Sequence, residues 1–152
     1  MKPSEKLAEL GIELPAVAKP LAAYVPAAKV GNQVWTSGQL PVVDGKLTVT
    51  GKVGAEVSPE IAKGQAKLAI LNALAAAADV AGGIDNIARI CKIVIFVASD
   101  PAFTGQPAVG NGASETLGEI FGEQGVHVRS AVGVSALPMD APVEIELVCE
   151  LA

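Results

Sequence analysis

Arg129 stands at the head of a run, Ser130-Ala131-Val132-Gly133-Val134-Ser135-Ala136-Leu137, that carries no charge. The next apolar stretch, Val143-Glu144-Ile145-Glu146-Leu147-Val148-Cys149, places two carboxylates within it. The two runs, joined by Pro138-Met139-Asp140-Ala141-Pro142, read as a β-hairpin over residues 127–150. Two uses of the guanidinium are open. Arg129 can pair with Glu144 or Glu146 across the hairpin, a surface ion pair worth about 0–1 kcal/mol. Alternatively its planar fork receives both oxygens of a ligand carboxylate in a cleft. Strand alternation puts Arg129, Ala131, Gly133 and Ser135 on one face and Ser130, Val132, Val134 and Ala136 on the other. The valine face reads as core, and the arginine face as a concave floor with one cation at its edge. In the second strand Glu144, Glu146 and Val148 share a face, opposite Val143, Ile145, Leu147 and Cys149.

No other cluster of chemistry-bearing residues competes with this one. Cys91 and Cys149 sit in separate apolar runs and read as buried, reduced thiols. One histidine and two dispersed cysteines do not make a zinc site, so no metal is expected. With 11 basic and 16 acidic residues the formal net charge is -5, and there is no basic run to neutralise phosphates. Five aromatics leave little for a base-stacking platform, so no nucleic-acid partner is expected. The segment MKPSEKLAELG has no apolar core of a secretory signal. The longest weakly charged stretch, residues 68–78, falls far short of the roughly 20 residues a membrane span needs. The expectation is a cytoplasmic protein without a membrane partner.

The elements that must carry these residues follow from local signals. The chain of 152 residues is long enough for one domain with its own core. Its apolar fraction of 51 % is almost entirely aliphatic, since aromatics make up 3 %. Residues 4–10 predict a short helix capped by Ser4 and stopped by Gly11, and Pro15 and Pro20 make the following residues an extended arm. Strands are expected at about 25–30 and 33–38 around Gly31-Asn32, and a short one at 46–49 after Asp44-Gly45. Ser58, Pro59 and Glu60 start a helix that Gly82-Gly83 ends, with Ile61, Leu68, Leu71, Ala75 and Ala78 on its inner face. Residues 88–99 read as a central strand covered on both faces, and a second helix is expected over 114–122. The order β-β-β-α-β-α-β-β predicts an α+β domain, a mixed sheet with two helices on one face. The other sheet face then lacks cover within the chain, which implies a homo-oligomer.

The segments "NQVWTSGQLPVVDGKL" and "HVRSAVGVSALPMDAPVEIEL", with their spacing, resemble the Rid (reactive intermediate deaminase, YjgF-type) family over about residues 24–152, leaving residues 1–23 as an additional arm. That resemblance implies a chorismate-mutase-like fold and a homotrimer with clefts between subunits. Active members hydrolyse reactive enamines and imines to 2-keto acids and ammonia, without metal or cofactor. Carried over by position, Arg129 matches the arginine that grips the substrate carboxylate and Tyr24 the tyrosine at the cleft. Ser37 falls in the Thr36-Ser37-Gly38-Gln39 motif, Asn111 matches the cleft asparagine, and Glu144 the glutamate that positions or activates water. Active relatives often have cysteine where this chain has Ala131, and the segment "GNGASETLGEIFGEQG" differs in length from the short members. These departures fit a longer-chain branch of the family. The implied function is a 2-iminobutanoate/2-iminopropanoate-type deaminase. The alternative is a binding or sensing protein for small carboxylates that keeps Arg129 without turnover, and a ribonuclease or translation inhibitor fits an acidic chain least. Trp35 and His127 have no role in the pattern; Trp35 reads as core or interface and His127 as a rim residue.

Overall fold

The computed structural model describes residues 1–20 and 22–152, so Leu21 of the expected arm lies outside the described residues. A five-stranded mixed sheet carries two long helices on one face. In chain order the elements are α1 (Pro3–Leu10), β1 (Ala27–Val30), β2 (Gln33–Thr36), β3 (Val42–Val43), β4 (Lys46–Leu47), α2 (Pro59–Ala81), β5 (Ile87–Ala98), α3 (Gln106–Phe121), β6 (Val128–Val134) and β7 (Val143–Leu151). The sheet runs β1-β2-β7-β5-β6, and β3 and β4 form a small separate ribbon. This is the α+β architecture expected from the chain. No helix among the described residues is long and apolar enough to cross a membrane.

The expected hairpin of residues 127–150 does not form. β6 pairs in parallel with β5, and β5 pairs antiparallel with β7, so β5 lies between the two strands. Met139 and Asp140 turn the chain in left-handed conformations (φ 59° and 60°), but the turn leads across β5 rather than back onto β6. Adjacent apolar runs with a turn between them predict pairing only when nothing else inserts, and here a twelve-residue strand does. β5 itself alternates over its second half, with Ile93, Ile95 and Val97 fully buried and Val94 and Phe96 only partly so. It is therefore covered on one face, not two.

α2 begins as expected, with the Ser58 hydroxyl accepting a hydrogen bond from Ile61 N at 3.2 Å, and ends at Gly82 in the left-handed region. Its packing is partly rotated from the expected face, since Ala75 and Ala78 are buried as expected but the larger residues are not. Ala62, Ala66, Ala69, Ala73, Ala76 and Ala77 are buried, while Ile61 is 51 % exposed and Leu68 and Leu71 are only partly covered. Alanine has no bulk beyond Cβ, so this face lets the helix settle close on the sheet and on α3. The leucines instead point toward the N-terminal arm and wall a cavity beneath it.

α3 starts eight residues before the expected 114, because its first half is glycine-rich and glycine opposes helix formation in isolation. Packing overrides that propensity: a Cβ on Gly112 would run into the Lys63 carbonyl of α2. At the N-terminus Lys2, not Ser4, is the cap of α1. Ser4 instead donates its N–H and its hydroxyl to the Asp85 carboxylate, at 2.8 and 2.6 Å. These bonds tie α1 to the turn after α2 and hold the Asp85 carboxyl below its ordinary range.

Close helix contact makes a paired prediction. Gly112→Ala should cost about 1–3 kcal/mol, because the new methyl meets fixed backbone. Gly64→Ala, in α2 with open space around its Cβ position, should stabilise by roughly 0.4–1 kcal/mol through the unfolded chain. Thermal melts of the two variants in parallel check this; equal shifts would contradict the packing described.

Candidate functional site

Each strand of the sheet sends alternate side chains to the helices and to the open face. Val143, Ile145, Leu147 and Cys149 of β7 are buried under the helices, so Glu144, Glu146 and Val148 face the other way. Cross-strand register extends that open face: Trp35 opposes Val148, Val94 opposes Glu146 and Ser130, and Phe96 opposes Glu144 and Val132. Trp35, Val128 and Val132 are 52 %, 66 % and 43 % exposed there. Trp35 is thus not core. The valines of β6 occupy the open face, and the face of Arg129 and Ala131 lies under α3, the reverse of the expected arrangement.

Arg129 consequently lies along α3 rather than at the edge of an open floor. Its Nη1 donates to Asn111 Oδ1 at 2.9 Å and to Ser114 Oγ at 3.0 Å, and Nη2 donates to the Pro107 carbonyl at 3.0 Å. The approach depends on a missing side chain in α3, since a Cβ on Gly110 would stand 3.2 Å from Nη1 and 2.9 Å from Ile95 Cδ1. Three of the five guanidinium donors are held in this way, and among the described residues no partner takes the other two. Arg129 forms no ion pair with Glu144 or Glu146: they lie on opposite faces of the sheet, with β5 between their strands.

A hollow of about 380 Å³ opens over this arginine, lined by Asn111, Ser114, Gly118, Gly125, Val126, His127 and Arg129. His127 is half-buried and holds two bonds, Nε2 to Ser114 Oγ at 2.9 Å and Nδ1 to the Gly125 carbonyl at 2.6 Å. It is more than a rim residue. Ser114 and His127 were missed as a pair because they are thirteen residues apart, and only the full extent of α3 brings them to one place.

Tyr24 and Glu144 belong to a second cavity, about 950 Å³, between the arm of residues 13–20, the β3–β4 ribbon, Leu68, Leu71 and Asn72 of α2, and the turn at Pro138 and Met139. Glu144 is half-buried, and burial raises its carboxyl above the ordinary range, with the neighbouring Glu146 charge adding to the shift. Gly38 makes room for it, since a Cβ there would stand 2.6 Å from Glu144 Oε2. Ser37 is close in sequence but committed locally: its hydroxyl donates to Val25 O at 2.6 Å and its N–H to Pro26 O at 2.8 Å. These bonds fix the chain just beyond Tyr24. Of the site residues expected from sequence, then, Arg129 and Asn111 meet in one hollow, while Tyr24 and Glu144 share another with Ser37 bracing its edge. Cys149 is buried and its thiol is pushed up to about 11, chiefly by that burial, and Cys91 is also free.

Comparison with known proteins agrees with this architecture. The chain is 40 % identical over 146 residues to "Protein TCP17" of Trypanosoma cruzi, covering 95 % of this chain and 91 % of that protein. It is 30 % identical to a 2-iminobutanoate/2-iminopropanoate deaminase of Dermatophagoides farinae, over 89 % of this chain and 91 % of that one. A crystal structure of the protein Atu1372, with unknown function, from Agrobacterium tumefaciens superposes with a TM-score of 0.89 at 42 % identity, covering 99 % and 92 % of the two chains. Residues 4–151 match the family model described as "YjgF/chorismate_mutase-like, putative endoribonuclease". The chain belongs to the Rid/YjgF-like superfamily.

Proposed function

We propose that the protein is a 2-iminobutanoate/2-iminopropanoate-type deaminase that hydrolyses reactive enamines and imines to 2-keto acids and ammonia in a cleft between subunits. The observation that carries this reading is the separation of Arg129 from Glu144. Each lines a partly walled hollow on its own side of the sheet, and neither hollow holds both a carboxylate grip and an acid–base group of the kind the family pattern pairs. In a ring of three copies, each setting its β6 edge beside its neighbour's open face, the hollow at that edge would meet the neighbour's Glu144 cavity. Arg129 then offers its two remaining donors to the ligand carboxylate, Asn111 holds the guanidinium in place, and Glu144 of the neighbouring copy orients and deprotonates water beside Tyr24 and Ser37. A carboxyl raised by burial above its ordinary range is a stronger proton acceptor than an exposed one. The relative from Dermatophagoides farinae, named for this reaction, supports the substrate class. The assignment to a longer-chain branch is supported by the Atu1372 match, which covers 99 % of this chain, arm included.

A second reading, a small-carboxylate binding or sensing protein, is favoured by Ala131. It stands two residues from Arg129 on the same face, packed against the core, where active relatives often have cysteine. A ribonuclease fits least, because the chain carries a net charge of -5 and the open sheet face presents Glu144 and Glu146.

The protein should sediment as a homotrimer at micromolar concentration; a stable monomer would remove the shared cleft. Arg129→Lys should lose most binding of 2-oxobutanoate by calorimetry, since lysine keeps the charge without the fork; wild-type affinity in the variant would end the grip role.

Glu144→Gln should lower hydrolysis of 2-aminoacrylate generated in place by about 10²–10⁴-fold, with ligand binding kept. A change within twofold rejects Glu144, and no turnover by the wild type favours the sensor. The same variant tests the raised carboxyl. A group that holds its proton to higher pH when folded makes stability fall as pH rises from the ordinary glutamate value through the raised one. Glu144→Gln should therefore be at least as stable as wild type at pH 7 and lose that part of the pH dependence.

A further inference from the structure

The hollow over Arg129 contains a hydrogen-bonded line that the reading above leaves unused. The Gly125 carbonyl can only accept, so the 2.6 Å contact with His127 requires a proton on Nδ1. Nε2 then faces Ser114 Oγ at 2.9 Å in either charge state of the ring. In the neutral ring Nε2 accepts the Ser114 hydroxyl proton. In the charged ring Nε2–H donates to Ser114 Oγ, which already accepts from Arg129 Nη1 at 3.0 Å. A hydroxyl has one proton and two lone pairs. In that state both lone pairs are occupied, and the Ser114 proton is free to point into the hollow. One ring proton thus decides whether Ser114 presents a donor to a ligand, and the ligand's anchor, Arg129, is bonded to the same oxygen. Among the described residues Arg129 is the one other charged side chain lining this hollow.

We propose that Ser114 and His127 form the acid–base relay of the Arg129 half of the cleft, exchanging protons with the nitrogen and oxygen next to the bound carboxylate. The proposal rests on the deaminase reading and deepens it. As water adds to the imine carbon, one water proton passes to Glu144. Ser114 gives its proton to the imine nitrogen and takes one from His127 Nε2, and the C=N double bond becomes a single bond as C–O forms. When the adduct collapses, its hydroxyl proton returns through Ser114 to Nε2. Glu144 protonates the nitrogen, the C–N bond breaks, and ammonia leaves. Water and imine enter, keto acid and ammonia depart, both proton carriers are restored, and nothing is oxidised or reduced.

His127 is the sole histidine of the chain, so its ring can be observed directly. Long-range proton–nitrogen NMR on the full-length protein, with the ring neutral, should find the proton on Nδ1 and none on Nε2. A neutral ring with its proton on Nε2 instead would overturn the relay whether or not the protein is an enzyme. In the 2-aminoacrylate assay, Ser114→Ala and His127→Gln should each lower kcat by about 10²-fold, with KM changed far less. Imidazole added to His127→Ala should restore part of the rate, which a merely structural role would not allow. Variants turning over within twofold of wild type, or His127→Ala unresponsive to imidazole, overturn the relay and leave the deaminase standing. A wild type without turnover overturns both.

Discussion

The close seat of α2 on the sheet is the constraint from which the other features of this domain follow. Its inner surface is mostly alanine, at residues 62, 66, 69, 73, 76 and 77, with Ile70 and Leu74 its only large aliphatics among the fully buried positions, so little bulk separates much of the helix backbone from the strands. α3 is drawn in equally near by Gly112 against the Lys63 carbonyl. A layer packed this tightly keeps only uncharged polar side chains such as Gln65, Asn72 and Thr116, and the charged ones lie at its margins. At one margin, Gly110 leaves the gap in which the guanidinium of Arg129 lies along α3. At another, Leu68 and Leu71 turn away from the sheet and wall the cavity of Tyr24 and Glu144. Both hollows are by-products of covering the sheet from one side with thin helices.

One-sided cover also explains which residues are left exposed. The open face carries Trp35, Phe96, Val128, Val132 and Val148, with Glu144 and Glu146 among them. At about 25 cal/mol per Å² of apolar area removed from water, a broad surface of this kind favours association. The same surface carries a carboxyl whose proton affinity burial has already raised. Association would dry it further and raise it more. Any association through this face would thus be linked to acid–base tuning through one strand, β7, whose two faces serve the core and the open surface.

Much of this organisation was legible in the sequence where the signal is local. Ser58 and Gly82 bound α2 because a cap and a left-handed stop act on their own neighbours. The alternation of Glu144 and Glu146 with Val143, Ile145 and Leu147 gave their opposite faces correctly. Errors arose where the deciding contact is distant. The turn at residues 138–142 looked like a hairpin because nothing in it records that β5 lies between β6 and β7. The faces of β6 were inverted for a different reason. Size alone sends large aliphatics to the core, but beneath a glycine-lined helix the space suits Arg129 and Ala131, and the valines fall on the surface left uncovered.

The same reasoning explains why the arginine hollow was only half visible beforehand. Arg129 stood out by its type and Asn111 only through the family resemblance, whereas Ser114 and His127 acquire meaning only from bonds that converge on one oxygen. Ser114 Oγ is met by Arg129 from the strand and by His127 from the segment before it, and the Gly125 carbonyl orients the histidine. Gly125 packs against the Leu117 carbonyl so closely that a Cβ would collide with it. The acceptor that fixes the histidine proton is therefore held by the end of the same helix that holds the serine. A site assembled in this way owes its geometry to the seating of α3, so its precision is set by the glycines of that helix and its turn rather than by the reactive residues themselves.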